Sequence, residues 1–258
     1  MAYANIEVTR SGPCTTISIN RPAFRNALTA HTIQELHHAF SAVSEDRDAR
    51  SVLFTGSGSE AFCAGADLQE LRNASDPAAR RSFFEAMAEL ITTISKCPVP
   101  VVAAVQGFAL AGGMGLVAAS DIALASDDAV FGLPEVAIGL APMVVAYPLS
   151  VVMNPRTLSY MALSGERITA IQAYEAGLIS KVVQKASLMD EARALCAVLA
   201  KRGPNAVSAT KQALRDLLSA RSELTMLELA DRSALVSIGA EAQEGIDAFS
   251  EKRPPKWS

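Results

Sequence analysis

The sequence predicts an α/β body followed by a mostly helical final third. Three observations carry this prediction. Extended and helical segments alternate up to Pro142, helical spacing dominates after it, and half of the 258 residues are apolar, enough for a sizeable core.

The first elements read as IEVTR, a turn at SGP, CTTISIN, a loop RPAFRNA, a helix from about Thr32, and SVLFTG. Thr32 and Glu35 have the T-x-x-E form of a capping box, and Ile33, Leu36, Phe40 and Val43 follow at helical spacing. The loop SGSEAFCAGAD then leads into a helical stretch, interrupted near Ser75, Asp76 and Pro77, with a further helix to about Cys97. Next come the buried strand VPVVAAV, a glycine-rich junction, a short helix to about Ser120, and the strand pair DIALAS and AVFG with Asp127 and Asp128 turning between them. Beyond Pro142 the helical segments are TAIQAYEAGL, SLMDEARALCAVLAKRG, NAVSATKQALRDLL and EAQEGIDAFSEKR, the last stopped by a Pro-Pro pair. There is no low-complexity tract and no repeat of fixed period in the residues themselves.

Composition removes several function classes. A net charge of −4 gives no general electrostatic reason to bind nucleic acid or anionic lipid. Cys14, Cys63, Cys97 and Cys196 form no C-x-x-C pair and lie near no His at zinc-finger spacing, so neither a disulfide framework nor a metal site is expected. Reduced thiols fit a cytosol, and the N-terminal MAYANIEVTR lacks the basic and apolar regions of a secretory signal, so the expected location is cytoplasmic. The stretch from Pro100 to Ala119 has Gln106 as its only polar side chain and is long enough to suggest a membrane span. Its bulk is largely Ala and Gly, and glycines at 107, 112, 113 and 115 divide it, so it reads as a buried strand, a turn and a helix.

Two familiar chemistries also fit poorly. GMGLVA, at 113 to 118, satisfies G-x-G-x-x-G/A, with Glu135 where a ribose-binding acid belongs. The strand before it ends too early, however, and the helix after it is too short for a parallel crossover. His31, His37 and His38 share one helix or its cap without metal-ligand spacing, and no G-x-S-x-G is present.

Two loops share a design. CAGADL at 63 to 68 and LAGGMG at 110 to 115 each set small residues just before a helix, leaving main-chain N–H groups unobstructed. Separately, each is consistent with tight packing; converging, they have the layout of an oxyanion hole. Glu135 is the only acid in the apolar run from Ala129 to Tyr147. Unpaired there, its pKa rises toward the range of a proton shuttle; paired with an Arg or Lys elsewhere, it is structural.

Five segments in order, NRPAFRNAL at 20 to 28, FCAGADL at 62 to 68, GFALAGGMGL at 107 to 116, FGLPEVAIGLAP at 131 to 142 and EGIDAFSEKR at 244 to 253, resemble the enoyl-CoA hydratase/isomerase family, the crotonase superfamily. The resemblance covers essentially the whole chain. It implies a crotonase-like α/β spiral of β-β-α repeats over residues 1–195, carrying the acyl-CoA site, and a helical trimerisation region over 196–258. It also implies a homotrimer or a hexamer built as a dimer of trimers, with no metal and no cofactor, coenzyme A being part of the substrate.

By the same resemblance, the N–H groups of Ala66 and Gly112 hold the thioester oxygen, Glu135 is the catalytic carboxyl, and Asp67 caps the adjoining helix. The loop carrying Phe24, Arg25 and Ala27 corresponds to the family's CoA-binding loop, and Phe249 and Lys252 correspond to nucleotide contacts often made from a neighbouring subunit. Ala64, Asp67, Leu68, Leu110, Gly113, Pro134 and Met143 complete the expected acyl-CoA contacts.

One departure is informative. Hydratases of the family commonly carry two glutamates, and the first of those positions is Gly115 here, while the second is Glu135. Where many of them have glycines after the proline, this chain has Met143, Val144 and Val145. A single carboxyl suits an enoyl-CoA isomerase, which moves a proton from C2 to C4 of a 3-enoyl thioester. A hydratase acting on 2-enoyl-CoA and a non-catalytic acyl-CoA binder are the alternatives.

Overall fold

A strand pair followed by a helix occurs three times in succession: β3 (Ser51–Gly56) and β4 (Ala61–Cys63) before α2 (Leu68–Asn73) and α3 (Pro77–Lys96), β5 (Val101–Val105) and β6 (Phe108–Leu110) before α4 (Gly112–Ala119), and β7 (Ile122–Ser126) and β8 (Val130–Gly132) before α5 (Met143–Val152). This is a computed structural model, describing residues 3–74, 76–219 and 226–255. Preceding the repeats are β1 (Ile6–Ser11), β2 (Cys14–Ile19) and α1 (Ala30–Glu45). Following them are α6 (Pro155–Ser164), β9 (Arg167–Thr169), α7 (Ala170–Glu175), β10 (Lys181–Val183), α8 (Leu188–Ala200), α9 (Pro204–Ser219), α10 (Met226–Ser237) and α11 (Ala240–Ser250).

Each repeat splits its strands between two sheets. The first strands build a six-stranded sheet in the order β1-β2-β3-β5-β7-β10, parallel from β2 onward, and the second strands build a smaller sheet in the order β4-β6-β8-β9. Every residue of β3 and β5 is buried, as expected of parallel strands covered on both faces. Val52, Phe54, Val101 and Ala103 face the main core with α1 and α3, while Leu53, Val102 and Ala104 face Leu188, Ala192 and Cys196 of α8. The expected boundary between residues 195 and 196 thus falls inside a helix that covers the large sheet.

The stretch from 100 to 119 resolves into β5, β6 and α4, and among the described residues no helix is long and apolar enough to cross a membrane. The dinucleotide-like GMGLVA lies inside α4.

Several expectations need correction. Helix α1 starts at Ala30, capped by Thr29, whose hydroxyl accepts from the Thr32 N–H. Glu35 takes no part in a capping box; it is buried and accepts the N–H groups of Ala4 and Asn5 at 2.6 and 2.8 Å, because the N-terminal segment lies across α1. DIALAS and AVFG are not partners, since β7 and β8 join different sheets. Of the interruption read near Ser75, Asp76 caps α3, which begins at Pro77, and Ser75 lies outside the described residues.

The short strands β4, β6, β9 and β10 and the helices α5, α6 and α10 were not expected, β4 lying in a segment read as loop. Three-residue strands give periodicity too little length. Among the described side chains of α10, Ala230, Ser233, Ala234 and Ser237 are buried, while Leu227, Leu235 and Val236 are exposed. These large apolar groups therefore point away from its core-facing side.

Candidate active site

Because β4, β6 and β8 are adjacent and parallel, their C-terminal ends lie side by side. Three turns therefore emerge together: 64–67 into α2, Ala111 into α4, and 133–135 into a 3-10 turn over Pro134–Ile138. Carboxyl ends of parallel strands are where open α/β sheets bind ligands.

The first turn is clamped around Ala66. The Leu28 N–H donates to the Gly65 carbonyl and the Asp67 N–H to the Leu28 carbonyl, both at 2.8 Å. Asp67 also accepts from the Gln69 and Glu70 N–H groups at the start of α2 and pairs with Arg21 at 3.2 Å. Arg21 donates to the Ala27 carbonyl as well, tying the 20–28 loop to this turn.

The second turn is held at Ala111, whose N–H donates to the Gly132 carbonyl of β8 at 2.9 Å. Ala111 has φ +49° and ψ −119°, a backbone state costing on the order of 1–3 kcal/mol for a residue with a side chain.

The two turns touch. A Cβ on Gly65 (φ +94°) would stand 2.7 Å from the Ala111 Cβ and 3.4 Å from the Gly112 nitrogen, so only glycine fits there. Among the described residues, neither the Ala66 nor the Gly112 N–H has a main-chain acceptor. Both residues line one cavity, and Gly112 is the first residue of α4, where amides lack intrahelical partners and the helix dipole favours negative charge. Two amides so placed are able to hold an oxygen that gains charge.

Glu135 lines the same cavity, and no other ionisable side chain does so among the described residues. Its Oε2 is shut from solvent and has no hydrogen-bond partner. Burial pushes the carboxyl up to about 7, opposed only by a main-chain hydrogen bond. The alternative of a structural ion pair is absent among the described residues.

The space of a second carboxylate is occupied. A Cβ on Gly115 would meet Val145 Cγ1 at 2.6 Å and Ile91 Cδ1 at 3.2 Å, so the glycine of α4 and the valine of α5 fill each other's room. Val144 and Val145 are buried, and the cavity is walled by Phe83, Phe84, Met87, Leu140, Met143 and Val144.

Of the sequence-predicted residues, Ala64, Ala66, Leu68, Gly112, Pro134, Glu135 and Met143 line this cavity. The others lie elsewhere. Gly113 packs on the Cys63 carbonyl, where a Cβ would stand 2.3 Å away, and Leu110 closes β6 with its carbonyl against Gly65. Phe24 and Arg25 are exposed on the 20–28 loop, with Arg21 over the Phe24 ring and Arg25 near Glu60 at 3.4 Å. Ala27 is half-buried beside them, while Phe249 and Lys252 are exposed at the end of α11. The histidines stay on α1, His31 beside Glu35 and His38 on the Tyr3 hydroxyl.

Sequence reasoning missed Arg21 and Ser233. Arg21 sits within the recognised NRPAFRNAL motif, so its proximity to an N-cap Asp was a usable signal; a serine on an unrecognised helix offered none.

Residues 10–258 match the family model described as enoyl-CoA hydratase/isomerase. The chain belongs to the enoyl-CoA hydratase/isomerase family. It is similar to a crotonyl-CoA hydratase of Syntrophomonas wolfei, 33% identical over 255 residues covering 98% of this chain and 97% of the relative. It is also similar to a probable mitochondrial enoyl-CoA hydratase of Dictyostelium discoideum, 35% identical over 252 residues covering 93% and 86% of the two chains. Among solved structures, an enoyl-CoA hydratase from Mycobacterium avium subsp. paratuberculosis superposes with a TM-score of 0.89 over the full length of both chains at 26% identity. The fold is thus crotonase-like, and the protein is an acyl-CoA enzyme of the crotonase superfamily.

Proposed function

We propose that this enzyme shifts the double bond of a 3-enoyl-CoA thioester to C2. The observation that supports it most is that, among the described residues, a single carboxyl lines a mostly apolar cavity, with Val145 filling the room a carboxylate at 115 would need. Ionised Glu135 takes a proton from C2, and the electron pair moves onto the thioester oxygen. The N–H groups of Ala66 and Gly112 hold that oxygen as it becomes negative, a donor of this kind being worth ~3 kcal/mol. The carbonyl then re-forms, the double bond settles between C2 and C3, and Glu135 returns its proton at C4. With a pKa of about 7 the carboxyl is balanced for both transfers near neutral pH.

A second reading, water addition to a 2-enoyl-CoA, is favoured by the names of the two relatives above. The purified protein is offered a 3-enoyl-CoA and, separately, a 2-enoyl-CoA. Double-bond migration that disappears in Glu135→Gln supports the isomerase, water addition as the dominant reaction replaces it with the hydratase, and binding without turnover of either overturns both.

The same proposal assigns Phe24, Arg25 and Ala27 to the nucleotide end of coenzyme A, joined by Phe249 and Lys252 of a neighbouring subunit in a homotrimer or a dimer of trimers. The exposed Leu227, Leu235, Val236 and Ile238 supply apolar surface for such an assembly. Sedimentation at micromolar concentration tests it, a monomer being the adverse result. A cytoplasmic location is proposed with it, supported by the four free cysteines.

A further inference from the structure

Among the described residues two buried side-chain polar atoms have no hydrogen-bond partner, Glu135 Oε2 and Ser233 Oγ, and both residues line the same cavity. Glu135 has a task there. Ser233, on α10, is 2% exposed and has none in the reaction described.

A serine inside a helix ordinarily donates to a carbonyl in the preceding turn. Ser44, Ser120, Ser164 and Ser250 do so to Phe40, Leu116, Tyr160 and Ile246, and Ser237, one turn beyond Ser233, donates to Ala234 at 2.8 Å. Ser233 does not. Among the described residues, its hydroxyl is the only polar group besides the Glu135 carboxyl among the side chains that line a cavity otherwise walled by groups such as Phe83, Met87 and Val144. An unpaired buried hydroxyl is unfavourable, and sites are built with one where a ligand completes the bond.

We propose that Ser233 is a specificity-determining residue that hydrogen-bonds a neutral oxygen function, a hydroxyl or oxo group, on an otherwise apolar acyl chain, beyond the carbons that react. The inference rests on the acyl-CoA reading of this cavity. A charged chain end does not fit: no Lys or Arg lines the cavity among the described residues, and Glu135 would repel a carboxylate. An unsubstituted hydrocarbon chain fits the walls but leaves the hydroxyl unpaired.

The test uses two saturated, unreactive acyl-CoA thioesters of equal chain length, one carrying a single distal oxo or hydroxyl group, titrated calorimetrically into the full-length protein. Wild type is expected to bind the oxygenated thioester about tenfold more tightly than the hydrocarbon one. In Ser233→Ala that ratio is expected to fall to about one, mainly through weaker binding of the oxygenated chain, and in Ser233→Cys to lie between. Removing an unpaired hydroxyl leaves thermal stability unchanged or raised, so the alanine variant is expected to fold. With reactive enoyl substrates of the two kinds, the Ser233→Ala change appears in KM and leaves kcat close to wild type. Equal binding of the two thioesters by wild type, or an unchanged ratio in Ser233→Ala, overturns the proposal while leaving the proposed reaction standing. Failure to bind either thioester overturns both.

Discussion

The corner where the N-terminal segment crosses α1 and the cavity at the end of the small sheet each shut a glutamate carboxyl oxygen from solvent, and they treat it in opposite ways. Glu35 accepts two main-chain N–H groups and lies 3.3 Å from His31. Glu135 keeps one oxygen unpartnered and is pushed up to about 7 by burial. Burial alone therefore does not distinguish the two carboxyls; the oxygen left without a partner does. Glu35 ties down the segment just before β1, while Glu135 has an oxygen left for the proton transfer proposed above.

Four changes test this contrast, in order of decreasing effect. Glu135→Gln is expected to lower the rate of double-bond migration by about 10²–10⁴-fold with the fold retained, measured as turnover of a 3-enoyl-CoA. Gly115→Glu is expected to abolish both activity and normal stability by driving a side chain into Val145, whereas Gly115→Glu combined with Val145→Gly makes room and introduces water addition to 2-enoyl-CoA. If the single variant folds and works as well as the pair, the mutual filling of α4 and α5 does not restrict the chemistry.

The third change concerns pH. The wild-type rate is expected to climb as pH rises through about 7, because the base must be ionised. Stability moves the other way. The folded chain holds the Glu135 proton more tightly than the unfolded chain, whose value is 4.5, so this contribution is complete below 4.5 and lost as pH rises through about 7. Glu135→Gln lacks that loss and is expected to exceed wild type above pH 7 by up to ~3 kcal/mol, read by denaturant unfolding at pH 5 and pH 8. Equal pH slopes for the two proteins would show that the carboxyl is solvated or paired. The smallest effect belongs to the other corner: Glu35→Gln is expected to cost ~1–3 kcal/mol of stability without changing turnover, checked by thermal unfolding and the same assay.

How much of this was legible in the residues varies by element. The alternating strands and helices to Pro142, the apolar β5, and the two small-residue turns announced themselves through period and composition. The assignment of a capping box to Thr32 and Glu35 failed because Glu35 has a better use: two N–H groups from a segment some thirty residues earlier compete for the same carboxylate. DIALAS and AVFG read as partners because sequence neighbours usually pair, yet the chain changes sheets between them. Helix α10 escaped notice because the buried side chains described on it are Ala and Ser while Leu227 and Leu235 are exposed, inverting the cue on which helix reading depends.

The family, the two glycine-bearing turns and the isolation of Glu135 in an apolar run can be read from the residues, because these are properties of local order and motif spacing. That the turns meet, that Val145 occupies the room beside Gly115, and that Ser233 lines the same cavity as Glu135 emerge from the folded chain alone. Those facts depend on strands 40 to 50 residues apart lying side by side and on a C-terminal helix packing over α3 and α5. Contacts at that separation are set by the packing of the whole chain and leave no periodic trace in its residues.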